Sequence, residues 1–201
     1  GKLTIAAMPS FASTRLPAVL ATYRQQFPNI DIAVRDIVME ELIEAVRAGR
    51  VELGVAFEPD DSEGLEFEAL FTDRFVAVLP EAHPLLARSR LRIKDLLGDT
   101  VITLNRGSST RRWTEDAFAR ESLSPPAIFE AFQLTTVGAM VAAGLGVALV
   151  PALCEEQMHQ LGARCKPISG RCIERRVGII RRRRQQLSSA AVAMRALLME
   201  S

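Results

Sequence analysis

The chain has 201 residues, of which 48% are hydrophobic and 24% charged, with a formal net charge of +1. This balance is typical of a globular protein, and it argues against a domain that binds nucleic acid through a basic surface. No apolar run reaches the roughly 18 residues of a membrane-spanning helix, and no secretory signal is recognisable at the N-terminus, so we expect a cytoplasmic protein without membrane contact.

Strands and helices alternate over the first 57 residues. An apolar run over residues 3–8 predicts a buried strand that Pro9 and Ser10 end. Apolar residues then recur at helical spacing up to Phe27, and Ser13 is the predicted N-cap of this helix. The segments that follow are a strand over 30–34, a helix over 40–48 and a strand over 51–57. This order predicts a parallel sheet with right-handed crossovers.

The alternation is interrupted and then restarts. An acidic loop over 58–64 leads into an extended stretch over 65–79, in which Thr72 and Asp73 are the predicted hinge. Further elements are predicted as a helix over 93–97, a strand over 100–104, a helix over 111–120, a strand over 127–132, a helix over 135–143, a strand over 147–150, a helix over 152–160, a strand over 176–181 and a helix from 188 or 189 to 199. The last strand and helix are too few to fold alone, so we expect them to pack on earlier elements.

The predicted fold class is therefore α/β with two lobes. We expect lobe I to comprise residues 1–72 and 172–201, and lobe II to comprise residues 73–171. A chain that leaves one lobe and returns to it makes two crossover strands, and this is the plan of a hinged protein that closes over a small ligand.

Cysteines and histidines give little sign of reactive chemistry. Three cysteines without a CxxC motif argue against a disulfide framework or a zinc knuckle, and reduced thiols are expected, although Cys165 and Cys172 could pair if their segments lie side by side. The two histidines belong to no HExxH or Cys-His arrangement, and neither GxSxG nor GxGxxG occurs. We therefore expect no metal ion, no cofactor and no enzymatic activity.

Four segments carry a resemblance to a known family. They are LTIAAMPSFASTRLPAVLATYRQQFPNIDIAV, LIEAVRAGRVELGVAF, VAVLPEAHPLLARSRLRIKDLLGDTVITL and LTTVGAMVAAGLGVALVPALC. In this order and spacing, the chain resembles the effector-binding domain of LysR-type transcriptional regulators along nearly its whole length. One departure is Glu52, at a position where the family usually has an aspartate.

The resemblance implies the fold of type-2 periplasmic binding proteins, with two Rossmann-like lobes joined by two crossover strands. It implies a small, carboxylate-bearing effector bound between the lobes, and a homodimer or, in the full-length protein, a tetramer. DNA would be contacted only through an N-terminal winged helix-turn-helix, which we expect to be missing from this chain. In the dimer, the helix over 13–27 of one subunit would lie against the helix over 111–120 of the other.

Candidate effector contacts lie where strands end and helices begin, because ligands of open α/β sheets bind beyond the carboxyl ends of strands. Two loops, residues 9–13 and residues 105–110, are rich in hydroxyl groups and backbone donors. The resemblance places effector contacts at Ser10 and in the second loop. The predicted effector-binding residues are Ser10, Phe11, Met39, Phe57, Asn105, Ser108, Ser109 and Thr135.

Several of these residues have an alternative structural interpretation. Phe11 and Phe57 suit core packing as well as a ligand-binding surface. Thr135, like its neighbour Thr136, is also a candidate helix cap. Met39 lies where relatives often carry a small or hydroxyl residue. If Met39 faces the cleft, we expect an effector that is partly apolar, such as an aromatic or branched acid.

The run Arg181–Arg184 resembles a nucleic-acid-binding patch. Two other interpretations are a solvated strand end and a contact with an acidic neighbour, such as residues 58–68 of another subunit.

Other functions remain open for the same fold. A solute-binding protein of a transporter would share the architecture but would need export. An enzyme on this fold would need acid–base residues, and none is evident in the sequence.

Overall fold

The computed structural model describes residues 1–171 and 173–201, so the alternative in which Cys165 pairs with Cys172 lies outside the described residues. The strands are β1 Lys2–Ala7, β2 Asp31–Asp36, β3 Leu53–Phe57, β4 Leu65–Leu79, β5 Leu91–Arg92, β6 Val101–Leu104, β7 Ile128–Ala131, β8 Ala148–Pro151, β9 Arg164–Ser169 and β10 Glu174–Arg182. The α-helices are α1 Pro9–Ala12, α2 Leu16–Gln26, α3 Met39–Arg47, α4 Ser109–Ala119, α5 Leu134–Ala142, α6 Glu155–Gln160 and α7 Ser189–Glu200. Short 3₁₀ turns cover Pro84–Ala87, Ile93–Gly98 and Ala152–Cys154.

The chain divides into two units. Unit 1 comprises Gly1–Thr72 and Arg176–Ser201, and unit 2 comprises Asp73–Arg175. The boundaries between the units fall within two strands, so β4 and β10 each contribute residues to both units. Unit 1 is therefore assembled from two pieces that are distant in sequence, whereas unit 2 is continuous.

Unit 1 is built on a sheet in the order β2-β1-β3-β10. β1 lies parallel to both β2 and β3, whereas β10 is antiparallel to β3, with Ile179 opposite Val55. The predicted parallel arrangement of the first three strands is thereby confirmed. α7 packs against α2, and the Tyr23 hydroxyl donates to the Ala190 carbonyl oxygen over 3.0 Å. The C-terminal helix thus completes the core of unit 1.

Unit 2 contains two groups of paired strands. Its part of β4 is antiparallel to β8 and β9, and β6 is parallel to β7. An apolar cluster that includes Ile102, Val137, Val150 and Met158 forms the core beneath α5 and α6. Since all four side chains are fully or almost fully buried, hydrophobic burial is the main stabilising contribution here.

The first helix differs from its prediction. β1 ends at Ala7, before Pro9 and Ser10, as predicted, but Pro9 also begins a short helix, α1, because its fixed φ and missing N–H suit the first position of a helix. The Ser13 hydroxyl donates back to the Pro9 carbonyl oxygen over 2.9 Å, at the C-terminal end of α1. The prediction of Ser13 as N-cap is therefore wrong; α2 begins at Leu16, after Arg15.

Among residues 1–171 and 173–201, no helix combines the length and the apolar character that crossing a membrane requires.

Candidate functional site

Ser10 lies just beyond the end of β1, in the first turn of α1. It is only 3% exposed, and its carbonyl oxygen accepts a hydrogen bond from the Thr14 hydroxyl. Its own hydroxyl group has no hydrogen-bond partner among the described residues. A hydroxyl can both donate and accept a hydrogen bond, so this group at a strand end is available for a ligand.

Met39 begins α3 at the same edge of the unit 1 sheet. The β1–β2 register places Ala7 opposite Asp36, and the Ile37 amide donates to the Ala7 carbonyl oxygen over 3.2 Å. The ends of β1 and β2 are therefore adjacent, and Met39, which is half-buried, follows β2 by three residues. Partial burial raises the pKa of the Asp36 carboxyl, since neighbouring groups remove some of its water.

α3 begins without a side-chain cap. Its N-cap residue is Val38, whose side chain accepts no hydrogen bond, and the first turn carries Glu40 and Glu41, both exposed. The first amide groups of a helix have no partner within it and attract anions. This end of unit 1 therefore combines helix amides with the Ser10 hydroxyl.

The second candidate loop, in unit 2, follows β6. Ser108 is the N-cap of α4, and its Oγ accepts a hydrogen bond from the Arg111 amide over 3.4 Å. The Ser108 amide donates to the Asn105 carbonyl oxygen over 3.2 Å, and Ser109 is the first residue of α4. Ser108 is buried, whereas Asn105 and Ser109 are half-buried. The hydroxyl of Ser108 thus has a structural role, although a capping Oγ can still donate its own proton.

A buried arginine fixes this loop. The Arg111 side chain is 9% exposed, and its Nε donates to the Glu115 carboxylate over 2.6 Å. Its Nη1 lies 3.2 Å from the Leu104 carbonyl oxygen and 3.3 Å from the Glu130 carboxylate. Sequence analysis missed this role of Arg111. A basic residue in the first turn of a helix is disfavoured by the helix dipole, and this could have indicated that its side chain has a specific structural partner.

The comparison with protein families gives a match over residues 1–201 to the model described as the LysR substrate binding domain. The chain belongs to the LysR substrate binding domain family. The predicted family resemblance is thus confirmed.

The curated relatives of this LysR domain include transcriptional regulators. CysB of Burkholderia cenocepacia is 30% identical over 169 residues, which are 84% of this chain and 54% of the relative. The transcriptional dual regulator GltC of Bacillus subtilis is 27% identical over 192 residues, 95% of this chain and 64% of the relative. The chain spans about half to two thirds of the length of the curated relatives it matches.

Solved structures show the same fold. The effector binding domain of QuiR in complex with shikimate matches with a TM-score of 0.89 and 15% identity, over 100% of this chain and 96% of that one. The BenM effector binding domain with its effector benzoate matches with a TM-score of 0.82 and 22% identity, over 99% and 90%. The predicted α/β fold of the type-2 periplasmic binding proteins is therefore confirmed.

Within this LysR domain, the two phenylalanines of the predicted site are core residues. Phe11 is fully buried and stacks on Phe71, with ring centroids 6.4 Å apart, and the Arg15 guanidinium lies 3.8 Å from the centroid of the Phe71 ring. Phe57 is 3% exposed at the end of β3. These observations favour the structural interpretation of both residues, and their contact with an effector stays a prediction.

Thr135 lies in the first turn of α5 and is exposed. The N-cap of this helix is Gln133, whose side chain makes no capping hydrogen bond. The alternative interpretation of Thr135 and Thr136 as caps is therefore wrong. Both hydroxyl groups lie at the surface of unit 2, and a contact of Thr135 with an effector stays a prediction.

The run Arg181–Arg184 meets acidic residues of the same chain. Arg181 lies 2.8 Å from the Glu66 carboxylate and 3.2 Å from that of Glu68, and the Arg183 amide donates to the Gly64 carbonyl oxygen over 2.8 Å. The Arg195 guanidinium binds Glu68 as well and, as its main partner, holds the pKa of that carboxyl below its ordinary value. The acidic stretch over 58–68, which one interpretation placed against these arginines in another subunit, thus has partners within unit 1.

Proposed function

We propose that this chain is the effector-sensing domain of a LysR-type transcriptional regulator and binds a small, carboxylate-bearing ligand. The observation that carries the proposal is the position of Ser10 beyond the end of β1, where the residue is only 3% exposed and its hydroxyl has no hydrogen-bond partner among residues 1–171 and 173–201. Its setting supports an anionic ligand, because α3 starts nearby without a side-chain cap and its first amides attract a carboxylate. Shikimate and benzoate, the ligands of the similar QuiR and BenM domains, are both carboxylates.

The ligand is expected to have an apolar portion as well. Met39 follows β2 at the same edge of the unit 1 sheet and is half-buried, so part of its side chain can contact a ligand. A thioether side chain adapts its shape to apolar and aromatic groups. An aromatic or branched acid therefore suits unit 1 better than a strictly hydrophilic one.

Unit 2 would contribute further polar contacts from the loop after β6. Asn105 and Ser109 are half-buried there, and Ser108 retains a hydroxyl proton after accepting from the Arg111 amide. Arg111 holds this loop to the end of β6, which limits the conformational entropy that a ligand would have to remove. The predicted position of the ligand between the two lobes stays a prediction.

The effector would regulate by stabilising one of two conformations. Its effect on this equilibrium cannot exceed the difference between its affinities for the two states. In the full-length protein we propose that this change alters the arrangement of subunits, and thereby of N-terminal winged helix-turn-helix domains that bind DNA. This role needs neither a cofactor nor an enzymatic reaction, and it would be performed in the cytoplasm.

Self-association is part of the same proposal. The helices expected to meet in a homodimer are α2 and α4, and each has an exposed small residue, Ala21 on α2 and Ala119 on α4. Small side chains allow two helices to approach closely. A larger side chain at either position, as in Ala21→Trp, should dissociate the dimer in analytical ultracentrifugation without lowering the melting temperature of the monomer.

The rival function is a solute-binding protein of a transporter. The curated relatives named above are transcriptional regulators, and this favours the regulatory role. The full-length gene product distinguishes the two, since a helix-turn-helix ahead of residue 1 supports the regulator and a signal peptide supports the transport receptor.

Binding of a panel of carboxylates, shikimate and benzoate among them, tests the proposal. A ligand should raise the melting temperature of the chain, and Ser10→Ala should weaken its binding in calorimetry about tenfold, because one hydrogen bond to a charged group is lost. Ser13→Ala is the matched control, since this nearby hydroxyl donates to Pro9 and should leave affinity unchanged. The proposal would be contradicted if no acid in the panel raised the melting temperature, or if Ser10→Ala and Ser13→Ala weakened binding equally.

A further inference from the structure

Three potential metal ligands meet in unit 2, outside the loops proposed to bind the effector. One side-chain atom from each of Glu155, His159 and Cys165 lies within 4.8 Å of the other two. We infer that these residues form a binding site for a divalent transition metal ion, for which Zn²⁺ is the expected occupant. Sequence analysis did not predict a cluster of ligands, because Cys165 lies on a strand that the residue pattern does not indicate.

The fold brings the cluster together through one short connection. Glu155 and His159 are one turn apart on α6, so their side chains leave the same face of the helix. Cys165 lies on β9, where it pairs with Val78 of β4. A tight turn links α6 to β9, with Gly162 at a φ of +96°, a left-handed conformation that favours glycine. The position of the thiol relative to the helix is therefore fixed by packing on the core.

The anchoring of this turn is extensive. Met158 on α6 and Ala163 after the turn are both fully buried, and the Ala163 amide donates to the Met158 carbonyl oxygen over 3.0 Å. Cys165 itself is half-buried against the same apolar cluster. Since the backbone on both sides is held, a metal ion would require movement of side chains only.

The three side chains are available for coordination. Within residues 1–171 and 173–201, the side chains of Glu155, His159 and Cys165 have no hydrogen bond or ion pair. Ligand atoms around a tetrahedral zinc ion lie about 3.6 Å apart, so rotations that shift atoms by about 1 Å would form the site. His159 is exposed and Glu155 half-buried, and both can make such rotations.

The chemistry of the donor set selects the metal. A thiolate, an imidazole and a carboxylate together favour Zn²⁺ or Co²⁺ over Mg²⁺ and Ca²⁺, which prefer oxygen ligands only. Three protein ligands leave a fourth position, which a water molecule would fill. The site would then be open at the surface beside His159, as expected for an ion that enters and leaves.

Binding would displace a proton. A cysteine binds a metal ion as the thiolate, so the Cys165 thiol must lose its proton when the ion binds. The metal–sulfur bond forms as the sulfur–hydrogen bond breaks, and one proton passes to the solvent. A metal ion that binds sulfur strongly offsets this cost, whereas a hard cation does not.

Titration of the 201-residue chain with Co²⁺ tests the inference. The chain should bind about one Co²⁺, with a thiolate-to-metal charge-transfer band in the near ultraviolet, and Zn²⁺ should displace it. Cys165→Ser should abolish the band, and Glu155→Gln or His159→Gln should weaken binding more than about tenfold.

Two variants serve as controls. Glu156→Gln changes an exposed carboxylate one residue along α6, and Cys154→Ser changes the buried thiol that precedes the helix; both should retain the band. Circular dichroism identifies any variant that fails to fold. A chain without the charge-transfer band, a band that persists in Cys165→Ser, or equal losses in Glu155→Gln and Glu156→Gln would overturn the inference.

Discussion

The guanidinium of Arg111 donates to the main-chain carbonyl oxygen of Leu104 over 3.2 Å, and so ties the first turn of α4 to the last residue of β6. The charged side chain of Arg111 is thus a donor to the carbonyl oxygen of the last residue of β6. The conformation of the loop over 105–108 therefore depends on a residue outside it.

Replacing this arginine should destabilise unit 2. Arg111→Met leaves the Leu104 carbonyl oxygen without its donor, and we expect the free energy of unfolding to fall by about 2 kcal/mol. Urea unfolding followed by circular dichroism measures the change. Arg120→Met, at an exposed position just after α4, is the control and should alter stability by less than about 0.5 kcal/mol. Equal effects of the two substitutions would show that the hydrogen bond from Arg111 to Leu104 contributes little to stability.

The stack of Phe75 on Trp113 is expected to be a major contribution to the stability of unit 2. The two ring centroids lie 3.6 Å apart, and both rings are almost completely buried. Phe75→Ala should lower the free energy of unfolding by about 3–5 kcal/mol through the cavity it creates. Emission of Trp113, the single tryptophan of the chain, reports the transition. Phe129→Ala, at a position that is 42% exposed, should cost far less, and a similar loss there would argue against this account.

The contact of Glu68 with Arg195 should make stability depend on pH. The pKa of Glu68 is held below its ordinary value of 4.5, first by the hydrogen bond from Arg195 and further by the charges of Arg195 and Arg181. A carboxyl with a lowered pKa stabilises the folded state above its unfolded-state pKa, and this contribution is lost as the pH falls through the folded-state value. Because the group is partly exposed, the effect should be at most about 1 kcal/mol.

The measurement compares the wild type with Glu68→Gln. Their difference in unfolding free energy should be constant at neutral pH and should shrink below about pH 4.5. Glu63→Gln, at an exposed position, is the control and should show no such trend. A difference between wild type and Glu68→Gln that grows on acidification would have the wrong sign for this mechanism.

Gly146 should tolerate no side chain. A Cβ atom there would lie 2.3 Å from the Thr100 carbonyl oxygen, next to the Val147 amide that donates to the same oxygen over 2.9 Å. Gly146→Ala must therefore separate these two segments, and we expect it to cost about 1–3 kcal/mol. Gly98→Ala is the matched comparison, since a Cβ would meet nothing within 4 Å there. Thermal melting of both variants would refute the prediction if their melting temperatures fell equally.

Strong apolar periodicity was enough to predict most elements. The helix predicted over 135–143 is α5, Leu134–Ala142, and the strand predicted over 100–104 is β6, Val101–Leu104. Both segments carry continuous apolar patterns that tertiary contacts reinforce. The start of the first helix was not predicted, because Pro9 is compatible with a break and with a first helical position, and the choice depends on the neighbouring strands.

Sequence analysis could locate a candidate site residue only where the predicted order of strands and helices determines its position. Ser10 follows a predicted strand, so its location at a strand end could be derived, but its burial to 3% exposure could not. Cys165 was not placed, because Lys166 and Pro167 interrupt the alternation expected of a strand, and β9 therefore went unrecognised. Without that strand, nothing in the sequence brings Cys165 near His159.

The divided composition of unit 1 has a consequence for biosynthesis. On the ribosome, Asp73–Arg175 is complete as a continuous segment before the last residues of the chain are made. The sheet of unit 1, in contrast, lacks β10, and Tyr23 lacks the Ala190 carbonyl oxygen, until Arg176–Ser201 has emerged. We therefore expect the middle of the chain to fold first during translation. The N-terminal segment should stay incompletely folded until the C-terminal strand and helix are available.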